Sequence, residues 1–198
     1  MRIFLSVLVL IFSLQSWTKA DDIRDFQIEG MSIGDSLLDY MNKNEIQKEI
    51  ESNRYMYSYL TDKFGEVYLL NKKFENYEFV SVFVKSADEE FLIYRISASM
   101  EFNNKIEKCY QMMNEIADEF SKIFSNSKKT EFSNDHPVDK TGRSKTKTIS
   151  FITNSNNAAS VQCMDFEEEL RIKNNWFDAL SVTLQLDEVE KWFHNRPL

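Results

Sequence analysis

The residues whose types and spacing best suit chemistry lie in one segment, NDHPVDKTGRSKTKT, at positions 134–148. The segment is rich in basic residues, although the whole chain has a formal net charge of −8. A turn at its glycine could present backbone amides to an anion, and neighbouring basic and hydroxyl side chains could donate to the same group. The candidate anion-binding residues are His136, Lys140, Gly142, Arg143, Ser144 and Lys145.

A second interpretation of this segment needs no ligand. The Gly-x4-Gly-Lys-Ser/Thr spacing of a phosphate-binding P-loop is absent. Lysines in a solvated loop that leads into an edge strand also prevent that edge from pairing with other chains. Both interpretations, a small-anion site at 140–147 and a solvent-exposed loop, stay open from the sequence.

Other residue patterns give little support to an enzyme or a metal centre. Nucleophilic catalysis needs a base beside a Ser or Cys, and the only histidines are His136 and His194. No serine stands in a Gly-x-Ser-x-Gly motif. Zinc needs three or four nitrogen or sulfur ligands, which two distant histidines and one cysteine pair do not supply. We therefore name no catalytic residue, no cofactor and no metal ligand, and a hydrolase is the third hypothesis.

The two cysteines, Cys109 and Cys163, are predicted to form a disulfide. An even pair in an exported chain favours a bridge, and the alternative is a pair of buried thiols. A closed loop of about 55 residues would stabilise the fold by roughly 4 kcal/mol. A redox-active pair is disfavoured because no Cys-x-x-Cys spacing is present.

The N-terminus has the pattern of an export signal. Arg2 precedes the apolar run IFLSVLVLIFSL, and Thr18-x-Ala20 places small residues where a signal peptidase cleaves. The run is too short to span a bilayer as a stable helix. We predict a cleavable signal peptide at 1–20, cleavage near Ala20, and a single periplasmic or secreted domain at 21–198. The alternative is a buried N-terminal helix.

The charge of the remaining chain limits its partners. Removing Arg2 and Lys19 with the signal changes the formal net charge from −8 to −10. Such a chain is repelled by nucleic acid and by anionic lipid surfaces. No further apolar segment reaches transmembrane length. We therefore expect no nucleic-acid partner and no stable membrane insertion.

Periodicity predicts an α+β domain. Apolar residues at steps of three and four predict one long amphipathic helix at about 106–124. Alternating segments predict an antiparallel sheet rather than a parallel one, with the helix packed on one face. Predicted strands lie at 55–60, 66–70, 77–85, 91–102, 145–153, 159–166 and 177–186, with short helical pieces after Asp35, around Ile46 and Ile50, and after Asp187. Residues 125–143 form a polar segment.

The strand predicted at 55–60 has tyrosines at alternate positions, Tyr55, Tyr57 and Tyr59. In a strand these side chains share one face. Such a face is either a half-buried sheet surface or a recognition patch.

Four segments, IEGMSIGDSLLDYM, IEKCYQMMNEI, HPVDKTGRSKT and SVQCMDFEEEL, together carry a resemblance. The chain resembles small exported proteins of unknown function from marine, Pelagibacter-type alphaproteobacteria. That resemblance implies a cysteine in the central helix, a second in a late strand, and a loop with a His and Lys-x-Gly-Lys/Arg-Ser, but no activity. Phe166 stands where members often have Trp. GMSIGDSL is also faintly similar to BamE-type envelope lipoproteins, whose lipobox cysteine and Gly-x-Pro turn are missing here.

From the sequence, the first hypothesis is a non-enzymatic interaction module. Its sheet face or an edge strand would bind a protein or an envelope component. The second is a small-anion binder that uses the basic loop.

Overall fold

The computed structural model describes residues 23–56, 63–70, 72–137 and 139–195. Its helices are α1 (Lys43–Met56), α2 (Ile106–Ile123), α3 (Glu168–Asn174) and α4 (Asp187–His194). Its strands are β1 (Gln27–Ile28), β2 (Met31–Ser32), β3 (Phe64–Tyr68), β4 (Phe79–Lys85), β5 (Ile93–Glu101), β6 (Lys128–Asp135), β7 (Lys145–Ile152), β8 (Ala158–Asp165) and β9 (Ala179–Gln185).

One antiparallel sheet organises these elements and confirms the predicted α+β class. Its seven strands have the order β3-β4-β5-β9-β8-β7-β6. Two antiparallel meanders, β3-β4-β5 and β6-β7-β8-β9, meet where β9 pairs with β5. The chain between the meanders contains α2, which packs chiefly against β8.

The alternation of apolar and polar residues gives the sheet two different faces, because successive side chains in a strand point to opposite sides. In β4, Val80, Val82 and Val84 all enter the buried core. In β9, Leu180, Val182 and Leu184 do the same. We call this the helix face and the opposite side the open face. The residues between these apolar positions point to the open face.

Helix α2 covers the helix face as predicted. Its apolar stripe is buried, and the helix ends one residue before the predicted Phe124. Phe120 packs edge-on against Phe124 and Phe151, with ring centroids 5.6 and 5.8 Å apart. Aromatic clusters of this kind add to the stabilisation from burial alone.

The two edges of the sheet differ. At β3, Ile50 of α1 packs where Gly65 leaves room, and the Asn53 Nδ2 donates to the Glu66 carbonyl oxygen over 2.8 Å. This edge is therefore covered. Among the strands described, β6 pairs only with β7, and most of its residues are exposed on both faces.

Helix α4 packs on the open face at one end of the sheet. Val189 and Trp192 form a second buried cluster with Phe64 and Phe83. The Trp192 ring lies 5.3 Å from Phe64 and 6.1 Å from Phe83, centroid to centroid. The remainder of the open face is left uncovered by this helix.

Several local predictions were wrong. The polar segment at 125–143, in which no strand was predicted, contains β6. An edge strand with no buried face needs no apolar alternation. Helix α3 was missed. The helix expected after Asp35 is a single 3-10 turn, Leu37–Asp39, and the piece around Ile50 is the fourteen-residue helix α1. Tyr55 lies in α1 rather than in a strand.

Two other predictions fall outside the described residues. Residues 57–60 are not described, so the predicted tyrosine face cannot be placed. Residues 1–22 are also outside, and the signal peptide stays a prediction. None of the helices that the structure describes combines the length and the apolar character that crossing a membrane requires.

Candidate functional site

The cysteine pair forms the predicted disulfide. Cys109 on α2 is bonded to Cys163 on β8, their Cα atoms are 6.1 Å apart, and both residues are fully buried. The bond joins the long helix to the centre of the sheet. Its position in the core indicates a structural role.

The candidate anion-binding residues all lie in or beside the connection between β6 and β7. Within it, Asp139 Oδ1 accepts from the Thr141 amide and hydroxyl at 2.8 and 2.6 Å, and Oδ2 accepts from the Ser144 amide at 2.7 Å. These hydrogen bonds hold the pKa of the Asp139 carboxyl well below its usual range. The loop's own carboxylate therefore occupies two of the amides that an anion would use.

Two cations of the loop also face carboxylates of the protein. Arg143 lies 3.4 Å from the Glu167 carboxylate, and Lys145 lies 2.5 Å from that of Asp135. The buried Ser144 hydroxyl accepts from the Glu167 amide at 2.9 Å. Both cations are therefore partly neutralised.

The remaining loop residues differ in their surroundings. Lys140 is exposed, and Gly142 adopts the positive φ, +69°, that its predicted turn requires. The His136 ring packs against Phe166 with centroids 4.8 Å apart, and desolvation lowers its pKa. Phe166 therefore covers one side of the histidine ring. The anion site stays a prediction.

The second histidine lies outside the basic loop. His194 ends α4, and its Nδ1 lies 3.4 Å from the Glu190 carboxylate. Over the described ranges, no three His, Cys, Asp or Glu side chains lie together in a way that could hold a metal ion.

A different set of residues comes together on the open face. The strand register aligns one hydroxyl-bearing residue from each of the seven strands. In spatial order this hydroxyl row is Tyr68, Ser81, Ser97, Thr183, Ser160, Ser150 and Thr130. Neighbouring positions of the row lie on strands whose backbones are about 4.8 Å apart.

A second row runs beside the first. From β4 to β6 it contains Phe79, Ser99, Ser181, Gln162, Thr148 and Phe132. Its centre is polar, and a phenylalanine stands at each end. Phe79 stacks on Phe177 with ring centroids 4.8 Å apart and an interplanar angle of 16°.

A groove of about 570 Å³ lies over part of these rows. Residues of both rows line it on β3, β4, β5, β9 and β8, while Glu49, Ser52 and Asn53 of α1 line its wall. The volume is within the usual range of small-molecule sites, about 300–1,000 Å³. The groove is therefore large enough to take a ligand along the sheet.

The hydroxyls in the groove are held in place but keep hydrogen-bonding capacity. Ser97 pairs with Thr183 at 2.9 Å, and Ser99 pairs with Ser181 at 2.6 Å between hydroxyl oxygens. Each pair of hydroxyls uses one of its two O–H donors internally. The other O–H and several oxygen lone pairs stay available to a ligand. The Ser81 hydroxyl makes no hydrogen bond within the described part of the chain.

One cation adjoins the groove and is fixed by aromatic rings. The Arg95 guanidinium carbon lies 5.2 Å from the ring centroid of Phe83 and 5.4 Å from that of Phe193. Cation–π contact with both rings orients this side chain. Helix α4, which carries Phe193, thereby shapes one end of the groove.

Sequence analysis missed this site, although a local signal exists. The segments VSV in β4, ISAS in β5 and SVT in β9 alternate Ser or Thr with apolar residues. That alternation predicts a hydroxyl face in each strand separately. It does not tell which hydroxyls become neighbours, because the pairing of distant strands decides that.

Comparison with known proteins identifies no relative. No protein-family model, no curated protein and no solved structure matches this chain.

Proposed function

We propose that this protein is an exported, non-enzymatic binding module whose ligand occupies the groove on the open face. The hydroxyl row is the observation that carries the proposal. Because no aliphatic or charged side chain interrupts it, the row offers a continuous track of donors and acceptors. The proposed export rests on the N-terminal sequence pattern.

A plain solvent-facing sheet surface is the competing interpretation, since antiparallel sheets commonly leave one face in water. Residue choice argues against it. Serine is not among the residues that favour strands, whereas Thr, Val and aromatic residues are. Four of the seven residues in the row are serine. Small side chains here create a depression, and α1 and Phe79 bound it.

Burial also supports a recessed site. Ser81 and Ser181 are each 8% exposed and Thr183 is 7% exposed, yet all three line the groove. Polar groups that are largely removed from water favour a ligand that supplies matching hydrogen bonds. The rigid sheet preorganises these groups, which reduces the entropy cost of binding.

The test is a ligand screen followed by mapping. The purified protein is mixed with inorganic phosphate and sulfate, divalent cations, short peptides and neutral oligosaccharides, and each mixture is recorded by amide correlation NMR. We expect at least one class to shift amides of β4, β5 and β9. The variant Ser99→Leu, which fills the groove, should abolish those shifts, and Ser133→Leu, on exposed β6, should not.

Two results would contradict the proposal. One is that no class shifts the groove amides. The other is that the shifts are confined to residues 136–145, which would favour the anion hypothesis instead.

A further inference from the structure

We infer that the ligand of the groove is an extended, neutral oligosaccharide that lies across the strands with successive sugar units along the hydroxyl row. This inference rests on the proposed function and names the ligand class of the same site. The chemistry of the lining, the direction of the row and the aromatic rim each support it.

The lining favours a neutral ligand rich in hydroxyl groups. The charged residues at the groove are Glu49 and Glu66, which are acidic, and Arg95, whose guanidinium lies over the rings of Phe83 and Phe193. They do not form a cluster of one sign that would select an anion or a cation. Serine and threonine hydroxyls both donate and accept, as sugar hydroxyls do.

The direction of the row argues against a peptide. On a sheet face the main-chain groups of the protein are already paired within the sheet, so an extended peptide finds few partners for its own backbone. Peptides that recognise sheets add to an exposed edge instead. The row runs across the strands, perpendicular to the direction in which a peptide would pair.

The spacing of the row suits a polymer of sugars. The strands that carry the row repeat at about 4.8 Å, and a sugar unit of an extended glycan has a similar length. One unit can therefore lie over each strand. The groove includes Tyr68, Ser81, Ser97 and Thr183 of the row, so we expect it to hold a segment of four units.

The rim provides the apolar contact that sugar rings need. Phe79 is 36% exposed, and Phe177 holds it by stacking on one of its faces. The outer face of this pair can pack against the C–H face of a pyranose ring. Beyond the groove, Ser160, Ser150 and Thr130 continue the row toward the exposed β6 edge.

The inference is tested by calorimetric titration of the purified protein with cello- and chito-oligosaccharides from di- to hexasaccharide, with maltohexaose as a curved comparison. We expect affinity to rise with length up to the tetrasaccharide and to level off beyond it. Maltohexaose should bind more weakly than the extended hexasaccharides.

The variants isolate the proposed contacts. The double variant Ser97→Ala, Thr183→Val keeps the shape of the groove but removes one hydroxyl pair, and it should weaken tetrasaccharide binding about tenfold. Phe79→Ala should weaken it by a similar factor. Ser133→Ala, a hydroxyl deletion on exposed β6, should leave binding unchanged, and thermal melts establish that each variant is folded.

The outcomes distinguish this inference from the proposed function. If no oligosaccharide binds, or if binding is insensitive to the double variant, the saccharide assignment is wrong. The proposed function survives that result when another class of ligand shifts the groove amides. If no class does so, both are wrong.

Discussion

Removal of the Cys109–Cys163 bond should destabilise the protein by an amount that depends on the length of the loop it closes. The bond closes a loop with a sequence separation of 54 residues. On the loop-entropy model, a closed loop of this length contributes about 4 kcal/mol at room temperature. For a chain of this size, each kcal/mol changes Tm by roughly 2–4 °C, so the loss should lower Tm by about 8–16 °C.

Three forms of the protein separate the entropy of the cross-link from the packing of the sulfurs. Urea denaturation compares the oxidised protein, the reduced protein and the variant Cys109→Ala, Cys163→Ala. The reduced protein keeps both buried sulfur atoms, so its difference from the oxidised form reports the cross-link. The variant should be less stable again, because the missing sulfurs leave a cavity.

Burial adds a kinetic expectation. Both cysteines are fully buried, so a reductant reaches the bond only when the domain opens. Without denaturant, the reduction rate should become independent of dithiothreitol concentration at high concentration. The reasoning is refuted if the oxidised and reduced proteins differ by less than about 1 kcal/mol, or if reduction of the native protein stays proportional to dithiothreitol.

Three further predictions concern packing and pH. Gly65→Ala should destabilise by about 1–3 kcal/mol in urea, because the new Cβ would lie 2.6 Å from Ile50 Cγ1. Burial lowers the folded pKa of His136 below 6.5, so the protein should become more stable as pH rises toward 6.5. This gain in stability should be smaller in His136→Gln. The folded pKa of Asp139 is lowered, so its stabilising effect is present above pH 3.8 and fades as pH falls toward the folded pKa. Asp139→Asn should expose the Ser144 amide to hydrogen exchange at neutral pH.

Each of these has a control or an outcome that would contradict it. The double variant Gly65→Ala, Ile50→Ala should lose less stability than the two single variants lose together. Strictly additive losses would contradict the clash. For His136→Gln, a slope of stability against pH equal to that of the unsubstituted protein would contradict the desolvation of the imidazole. For Asp139→Asn, unchanged protection at Ser144 would show that the carboxylate does not organise the loop.

Local patterns predicted the parts of the fold that depend on local contacts. The apolar stripe predicted the start of α2 and placed its end one residue beyond the observed one. The alternation of apolar and polar residues predicted β9. Asn156, in the turn between β7 and β8, has φ +62°, a conformation that asparagine adopts more readily than most residues. Each of these features depends on residues close together in the chain.

The candidate site was harder to predict for two physical reasons. The basic loop was assessed by counting charges, whereas its geometry depends on Asp139, whose side chain turns back onto Thr141 and Ser144. An Asp that bonds to an amide two residues later is a common turn, so this contact could have been foreseen. The hydroxyl row could not, because its neighbours come from strands as far apart in the chain as Ser97 and Thr183.

The register that buries the core also builds the groove, and one irregularity shows how. Tyr94 is an extra residue in β5: Phe83 pairs with Arg95, but Val84 pairs with Ile93. This bulge keeps Ile93 and Ile96 on the helix face although they are three residues apart. Without it, Tyr94 would take the place of Ile93 on the helix face.

A shift of one residue in any central strand would exchange the two faces of that strand. The shift would bury hydroxyls under α2 and place valines in the groove. Core packing therefore selects the strand register strongly. The same register aligns the hydroxyl row, so no additional interaction is needed to align it. Substitutions in the groove that keep the register should change binding with little effect on stability, whereas substitutions under α2 that loosen the register should impair both.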